Sequence, residues 1–118
     1  MDDEELKTLV FIGNSRKDIR KFPNAVRDDV GFDLYEVQRG KTPDTAKSFK
    51  SLSGVLELVE RYDTDTFRVV YVAKLGEVVY VLHCFKKKSK QGIKTPKEDI
   101  DIIKQRYKQA LALSKSDK

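Results

Sequence analysis

Three apolar, β-rich stretches follow one another with almost no chain between them. They cover residues 54–62, 66–74 and 77–85, and they are joined by the short segments 63–65 and 75–76. Connectors of two or three residues join neighbouring strands as hairpins, so no helix can lie between these stretches. The pattern therefore predicts an antiparallel, three-stranded meander as the centre of the fold.

The segments before and after the meander predict one more strand and three helices. Residues 6–13 form a short apolar run that predicts a strand, and residues 14–40 predict a helical hairpin. The second helix of this hairpin should begin near Pro23 and end at Gly40, and a last helix should begin at Pro96. The apolar positions expected to face the core are Val26, Val30, Phe32, Leu34 and Val37 on the second helix, and Ile100, Ile103, Tyr107, Ala110 and Leu111 on the last one.

Residues 41–53 and 86–96 are polar and basic, show no strand or helix period, and are expected to be loops. The predicted order is β-α-α-β-β-β-α in one domain spanning residues 1–118, with a frayed tail at 115–118. The expected fold class is α+β. An antiparallel sheet would carry the N-terminal helical hairpin and the C-terminal helix, packed on one face.

The composition argues against several kinds of catalytic site. One histidine and one cysteine among 118 residues cannot supply the usual ligands of zinc, and the carboxylates are scattered. A nucleophile activated by histidine and a glycine-rich phosphate loop are also not indicated. We therefore expect no metal and no cofactor. The single Cys84, an acidic N-terminus unlike a signal peptide and the lack of a long apolar run predict a cytoplasmic protein without a membrane segment.

Positive charge is the remaining chemical feature. The chain has 24 Lys and Arg against 19 Asp and Glu, and residues 41–93 hold ten basic and six acidic side chains. Six lysines and no acid lie between Lys86 and Lys97. A basic cluster of this kind fits a polyanion such as RNA, whose phosphates supply salt-dependent affinity and whose bases stack on aromatic rings.

Strand pairing is expected to gather part of this charge. The hairpins predict that Arg68, in the middle strand, lies near His83 on one side and Glu60 on the other, with Arg61 diagonally close. The lysines at 86–88 would lie at the same end of the sheet. This arrangement depends on the register, because a slip of one residue moves a side chain to the other face.

Each of these side chains also has a purely structural interpretation, and the residues alone leave both open. Arg68 is equally compatible with a strand residue paired to Glu60 or Glu77, and the lysine segment with a solvated loop. His83, in an apolar strand, is compatible with a core residue. Glu57 is better explained as the partner of a buried Arg or Lys than as an acid catalyst.

Several motifs in residues 46–107 resemble a known family. They are G-V-L-E-L at 54–58, F-R-V-V-Y at 67–71, L-H-C-F-K-K-K-S at 82–89, and T-P-K at 95–97 followed by Arg106. The segment is similar to the phage-derived HigB-like toxins of the RelE/ParE superfamily, and the basic segment 46–52 resembles the loop before their first meander strand. The family often has an arginine where this chain has Val59, although Arg61 follows shortly.

The resemblance implies a RelE-like fold and the toxin of a type II toxin–antitoxin system. Such a toxin is a metal-independent, ribosome-dependent mRNA endoribonuclease (an mRNA interferase) that inhibits translation, and a small helix-turn-helix antitoxin neutralises it. The implied chemistry is transesterification, in which the 2′-hydroxyl of the RNA attacks the adjacent phosphorus. The implied site residues are, for catalysis, Arg68, His83, Lys86 and Lys87, and, for RNA binding, Lys47, Lys50, Arg61, Lys88 and Lys90.

Two other functions stay open at this point. One is a non-catalytic, ParE-like toxin that binds a protein, and the other is a basic RNA-binding regulator without toxicity. A ribonuclease needs Arg68 and the lysines exposed together in a groove, whereas a protein-binding inhibitor would use an apolar surface.

Overall fold

The computed structural model describes residues 5–88 and 94–116, and this part of the chain forms five strands and three helices. The strands build one sheet in the order β1-β5-β4-β3-β2. The α+β fold class is confirmed. The elements in chain order are β1 (Thr8–Phe11), α1 (Ser15–Ile19), α2 (Asn24–Gln38), β2 (Ala46–Ser48), β3 (Leu56–Tyr62), β4 (Asp65–Leu75), β5 (Val78–Lys88) and α3 (Lys97–Ser116).

The predicted meander is confirmed as β3, β4 and β5, which pair antiparallel. Two details of the predicted sheet are wrong. β1 joins the free edge of β5 in parallel, so the sheet is mixed rather than antiparallel. The polar segment 41–53 contains the three-residue strand β2, which pairs antiparallel with β3. Both pairings depend on partners elsewhere in the chain, and local sequence patterns do not report such partners.

The predicted loop at 86–96 begins too early, because β5 continues to Lys88. The lysines at 86–88 therefore alternate between the two faces of the sheet. Lys87 is paired with Thr66, whereas Lys86 is paired with Phe67 and points to the other face. Charged residues extend a strand here because β4 offers hydrogen-bonding partners up to Asp65.

The register also differs from the prediction, because the two-residue turns lie at 63–64 and 76–77 rather than at the predicted connectors 63–65 and 75–76. Tyr62 pairs with Asp65 and Leu75 with Val78. Asp63 adopts a positive φ of 61° and Gly76 one of 68°, as tight hairpin turns require. As a result Arg68 lies opposite Val59 and Phe85, rather than near Glu60 and His83.

Helices cover both faces of the sheet, which corrects the expectation of one covered face. Residues of α2 pack with Phe67, Val69 and Tyr71 of β4 in one cluster. Residues of α3 pack with Val70 and Val72 in a second cluster on the other face. Six consecutive residues of β5 are buried, as expected for a strand covered on both faces. The sequence carries a signal for this, because β5 begins with the unbroken apolar run V-V-Y-V-L at 78–82, whereas a strand with one solvated face would alternate apolar and polar residues.

The helical hairpin and the last helix are confirmed, but α3 continues to Ser116, so the frayed tail predicted from 115 begins too early; residues 117–118 lie outside the described part of the chain. Four of the five apolar positions predicted to face the core on α2 are buried, whereas Phe32 is 63% exposed. On α3, Ile103 and Ala110 are fully buried and Tyr107 packs against them. None of the helices in the described ranges has both the length and the apolar composition that a bilayer crossing needs.

Candidate functional site

The face of the sheet that α3 covers carries most of the polar side chains found inside the protein. Glu57 of β3 and His83 of β5 both lie opposite Val70 of β4. Arg68 is paired with Phe85, and Lys87 follows two positions after Phe85 on β5. Paired residues point to the same face, so Glu57, Arg68, His83 and Lys87 share it. We call these four residues the polar cluster.

Glu57 and Arg68 form the centre of the polar cluster. The Arg68 Nη1 lies 3.0 Å from the Glu57 Oε1, and the two side chains are 15% and 10% exposed. The Arg68 Nε is buried and donates to no partner among residues 5–88 and 94–116. The ion pair therefore leaves one N–H donor of the guanidinium without an acceptor in the interior of the protein.

Lys87 lies beside this ion pair and is 3% exposed. Its ammonium group donates a hydrogen bond to the backbone carbonyl of Lys94. Burial lowers the pKa of Lys87, and the positive charge of Arg68 lowers it further, while Glu57 acts in the opposite direction. A lysine with a lowered pKa releases its proton more readily near neutral pH than an exposed lysine does, which suits it to proton transfer.

His83 is held in place by α3. Its Nε2 lies 2.7 Å from the Asp99 Oδ1, and its Nδ1 lies 3.4 Å from the Arg106 Nη1. Its ring also stacks on Phe85, with the ring centroids 4.9 Å apart. The guanidinium of Arg106 can only donate, so Nδ1 accepts and the proton on Nε2 is donated to Asp99. The side chain is 6% exposed, and both ring nitrogens are engaged within the protein.

Arg106 reaches this position through an irregularity in β5. The register between β4 and β5 shifts near Leu82, which leaves the Leu82 carbonyl outside the ladder. The Arg106 Nη1 donates to this carbonyl at 2.9 Å. Its guanidinium passes close to Gly13, where an added Cβ would lie 2.7 Å from the Arg106 Nε. Gly13 therefore leaves the space that Arg106 needs to bridge α3 and the sheet.

We expect Gly13→Ala to lower the free energy of unfolding by about 1–2 kcal/mol more than Gly76→Ala does. Both glycines have a positive φ, 58° and 68°, so both variants carry similar backbone strain. A Cβ at Gly76 meets no atom within 4 Å, so the difference isolates the contact with Arg106. Urea denaturation of the two variants measures it. Equal losses would mean that the space at Gly13 does not matter.

The structure separates the other predicted site residues into groups. Lys47 lies opposite Glu57 on β2, and Arg61 lies opposite Thr66, so both belong to the face of the polar cluster, and both are exposed. Lys50 follows β2 and lines a separate cavity.

The placement of Lys86 and Lys88 corrects the expectation that the whole lysine run converges with Arg68. Both point to the α2 face, because side chains alternate along β5. The Lys86 Nζ lies 3.8 Å from the Asp65 Oδ2. Lys90 lies outside the described residues.

The polar cluster is also more enclosed than a ribonuclease groove was expected to be. Glu57, His83 and Lys87 are each less than 10% exposed. The sequence patterns did not reveal what encloses them, namely Asp99 and the Lys94 carbonyl. In the sequence, Asp99 is simply an acidic residue in the first turn of the last helix, and acidic residues are common at helix starts, so its contact with His83 was not predicted.

The interpretation of Glu57 as the partner of a buried arginine is confirmed.

No group of three or more His, Cys, Asp or Glu side chains within 5–88 and 94–116 is arranged to hold a metal ion.

Comparisons with known proteins agree with this architecture. Residues 17–108 match the family model described as "Phage derived protein Gp49-like (DUF891)". No curated protein matches the chain significantly. Among solved structures, a double mutant of the E. coli toxin RelE in the free state superposes with a TM-score of 0.55 at 20% identity, covering 74% of this chain and 87% of RelE. The predicted RelE-like fold is thereby confirmed.

A second solved structure is the RelBE2 toxin–antitoxin complex from Mycobacterium tuberculosis. It matches with a TM-score of 0.47 at 22% identity, covering 67% of this chain and 95% of the matched one.

Proposed function

We propose, from the premise that this chain belongs to the Gp49-like family of phage-derived proteins, that it is the toxin of a type II toxin–antitoxin system. Its activity would be metal-independent, ribosome-dependent cleavage of messenger RNA in the cytoplasm. The observation that carries the proposal is the meeting of Arg68, Lys87 and Glu57 on one face of a RelE-like sheet. These side chains can bind a phosphate, neutralise its charge and move protons.

The proposed reaction uses the RNA's own 2′-hydroxyl as the nucleophile. The 2′-oxygen attacks the adjacent phosphorus, the bond from phosphorus to the 5′-oxygen breaks, and the products are a 2′,3′-cyclic phosphate and a free 5′-hydroxyl. One proton must leave the 2′-hydroxyl and another must reach the departing 5′-oxygen. Arg68 would stabilise the charge on the pentavalent phosphorus, as a guanidinium can donate to two phosphate oxygens at once.

Proton transfer is assigned to Lys87 and Glu57. The lowered pKa of Lys87 favours donation of its proton to the 5′-oxygen. Glu57, which the sequence predicted only as an ion-pair partner, would take a second role, in which its carboxylate accepts the 2′-hydroxyl proton. For this, the scissile phosphate must replace the Lys94 carbonyl as the partner of the Lys87 ammonium. The exposed Lys47 and Arg61 on the same face would hold neighbouring phosphates.

His83 fits this scheme as a positioning residue rather than as the proton donor, because both ring nitrogens are engaged by α3. We expect His83→Gln to keep RNA cleavage within about threefold of the parent, since glutamine can donate and accept hydrogen bonds but does not titrate near neutral pH. Loss of a side chain that transfers a proton lowers the reaction rate roughly 100-fold or more. Cleavage rates measured from pH 6 to 8 decide between the two roles, and a hundredfold loss would restore His83 as a catalytic residue.

The direct test of the function is primer extension on messenger RNA after the chain is induced alone in a bacterial host. New 5′ ends should appear in translated transcripts and not in transcripts that lack a start codon. With purified protein, cleavage should require added ribosomes. It should persist when EDTA removes transition metals in the presence of excess magnesium, which the ribosome needs. Intact transcripts in growth-arrested cells would contradict the proposal.

The enclosure of the polar cluster favours a second candidate function. A non-catalytic, ParE-like protein-binding toxin or a basic RNA-binding regulator would need no open groove around Arg68 and Lys87. The protein-binding toxin predicts growth arrest with unchanged transcripts, and the regulator predicts neither arrest nor cleavage. The same induction experiment therefore distinguishes all three functions.

The proposed partner is a small helix-turn-helix antitoxin encoded beside this chain. Co-expression of the neighbouring reading frame should restore growth, and the two proteins should co-purify. If no protein encoded next to this chain relieves the growth arrest, the proposed antitoxin partner is wrong, even if the chain does cleave RNA.

A further inference from the structure

A cavity of about 490 Å³ lies at the end of the sheet where β4 finishes. It is bounded by the C-terminal end of α2 and by the segment that joins β2 to β3. Val37, Phe49, Val55 and Tyr71 form part of its wall, and each is less than 5% exposed. Small-molecule sites typically have volumes of roughly 300–1,000 Å³ and are lined mainly by apolar groups. Because core residues form this wall, the cavity exists before any ligand arrives.

Lysines are the only charged residues that line this cavity within the described part of the chain: Lys7, Lys41, Lys50 and Lys74. Lys7 is fixed at the wall, since its Nζ donates to the Ala73 carbonyl at 2.7 Å.

The other three lysines differ in whether an acidic side chain lies near the ammonium group. The Lys41 Nζ lies 4.0 Å from the Glu36 Oε1. Lys50 and Lys74 are exposed and form no ion pair with any residue in the described ranges. The cavity therefore combines an apolar interior with cations that have no counter-charge.

We propose that this cavity binds a small organic anion. The ligand would have an apolar body that fills the space beside Val37 and Tyr71, and a carboxylate, sulfonate or phosphate group that reaches Lys50 and Lys74. An apolar ligand without charge would leave the lysines unused, and an inorganic anion would leave the apolar wall in contact with water. Only a ligand with both parts satisfies both features of the cavity.

This site is separate from the polar cluster. Arg68 lies near the start of β4 and Lys74 near its end, which places them roughly 20 Å apart along the strand. Leu56 lines the cavity, while the next side chain, Glu57, points to the opposite face of the sheet. The inference therefore does not rest on the proposed ribonuclease activity and can be tested without RNA.

The probe we choose is 8-anilinonaphthalene-1-sulfonate, which joins an aromatic body to one anionic group and fluoresces when it is desolvated. Titration of the full, folded chain should saturate at one probe per protein. Lys50→Gln combined with Lys74→Gln should weaken binding about tenfold, since two exposed charge contacts each contribute modestly to affinity. Ser48→Trp places a large ring in the cavity from an exposed position and should abolish the saturable signal.

The matched control is Lys104→Gln combined with Lys108→Gln, which removes the same charge from exposed positions of α3 and should leave the affinity unchanged. N-phenyl-1-naphthylamine, which has the same aromatic body without the sulfonate, should bind the parent and the Lys50/Lys74 variant equally. Equal weakening by the two lysine pairs would reduce the effect to net charge, and unchanged binding by Ser48→Trp would place the probe elsewhere. Either result would overturn the proposal. Thermal unfolding confirms that each variant is folded, because partly unfolded chains also bind this probe.

Discussion

Growth arrest should disappear when Arg68 is replaced by Gln and Lys87 by Met in one chain, and RNA cleavage should fall at least about 100-fold. Arg68 is the cation proposed to hold the phosphorane, and Lys87 is the proposed proton donor. The two replacements remove both positive charges and keep much of the length of each side chain. A glutamine in place of Arg68 can still donate a hydrogen bond to the Glu57 carboxylate, so we expect the double variant to fold.

The matched control is Lys86→Met combined with Lys88→Met. These lysines flank Lys87 on the same strand but point to the α2 face, so the variant loses the same charge away from the polar cluster. It should keep arresting growth and should cut RNA within about threefold of the parent, as exposed charges contribute little each. Circular dichroism and thermal unfolding of both double variants confirm that they fold. Growth arrest by a folded Arg68/Lys87 variant would remove these two residues from the site.

The single variant Arg68→Ala should lower the free energy of unfolding by about 3–5 kcal/mol, because it leaves the Glu57 carboxylate buried without its partner. Adding Glu57→Gln to Arg68→Ala should recover most of this loss, since no buried charge then remains from the pair. Urea denaturation of the parent and the two variants at pH 7 measures both steps. A second substitution that recovers nothing would mean that Arg68 stabilises the sheet through packing alone.

The chain offers a matched ion pair for this experiment. Lys97 and Asp101 on α3 also lie 3.0 Å apart, but their side chains are 87% and 57% exposed. Lys97→Ala should therefore cost less than about 0.5 kcal/mol, as expected for an exposed pair on a helix. A similar loss of unfolding free energy for Lys97→Ala and Arg68→Ala would show that burial does not determine how much an ion pair stabilises this protein.

Much of the fold could be predicted because its signals are local. The meander follows from three β-rich stretches with short connectors, and α2 follows from apolar positions spaced three to four residues apart. The parallel pairing of β1 with β5 could not be predicted in this way, because it joins segments far apart in the chain. The strand β2 was missed for the same reason, since it owes its structure to pairing with β3.

The candidate site was predicted in part. Arg68, His83 and Lys87 do share one face, but Lys86 and Lys88 do not, because the strand extends through the lysines and side chains alternate along it. The predicted hairpin registers differ from the observed ones by one or two residues. A shift of two positions keeps His83 on the face of Arg68, whereas a shift of one moves Glu60 to the other face. The contacts made by Asp99 and Arg106 depend on how α3 docks, which no local pattern reports.

The pairing of β1 with β5 also dictates when the molecule can finish assembling during its synthesis. The first strand has no partner until the last one has left the ribosome, and translation at about 5–20 residues per second makes that delay several seconds or more. Throughout this interval the apolar stretch Thr8–Phe11 remains available to chaperones, proteases and other nascent chains. Chains that terminate before Val78 lack the strand that would cover it, so truncated products should be degraded rather than accumulate as partly working protein.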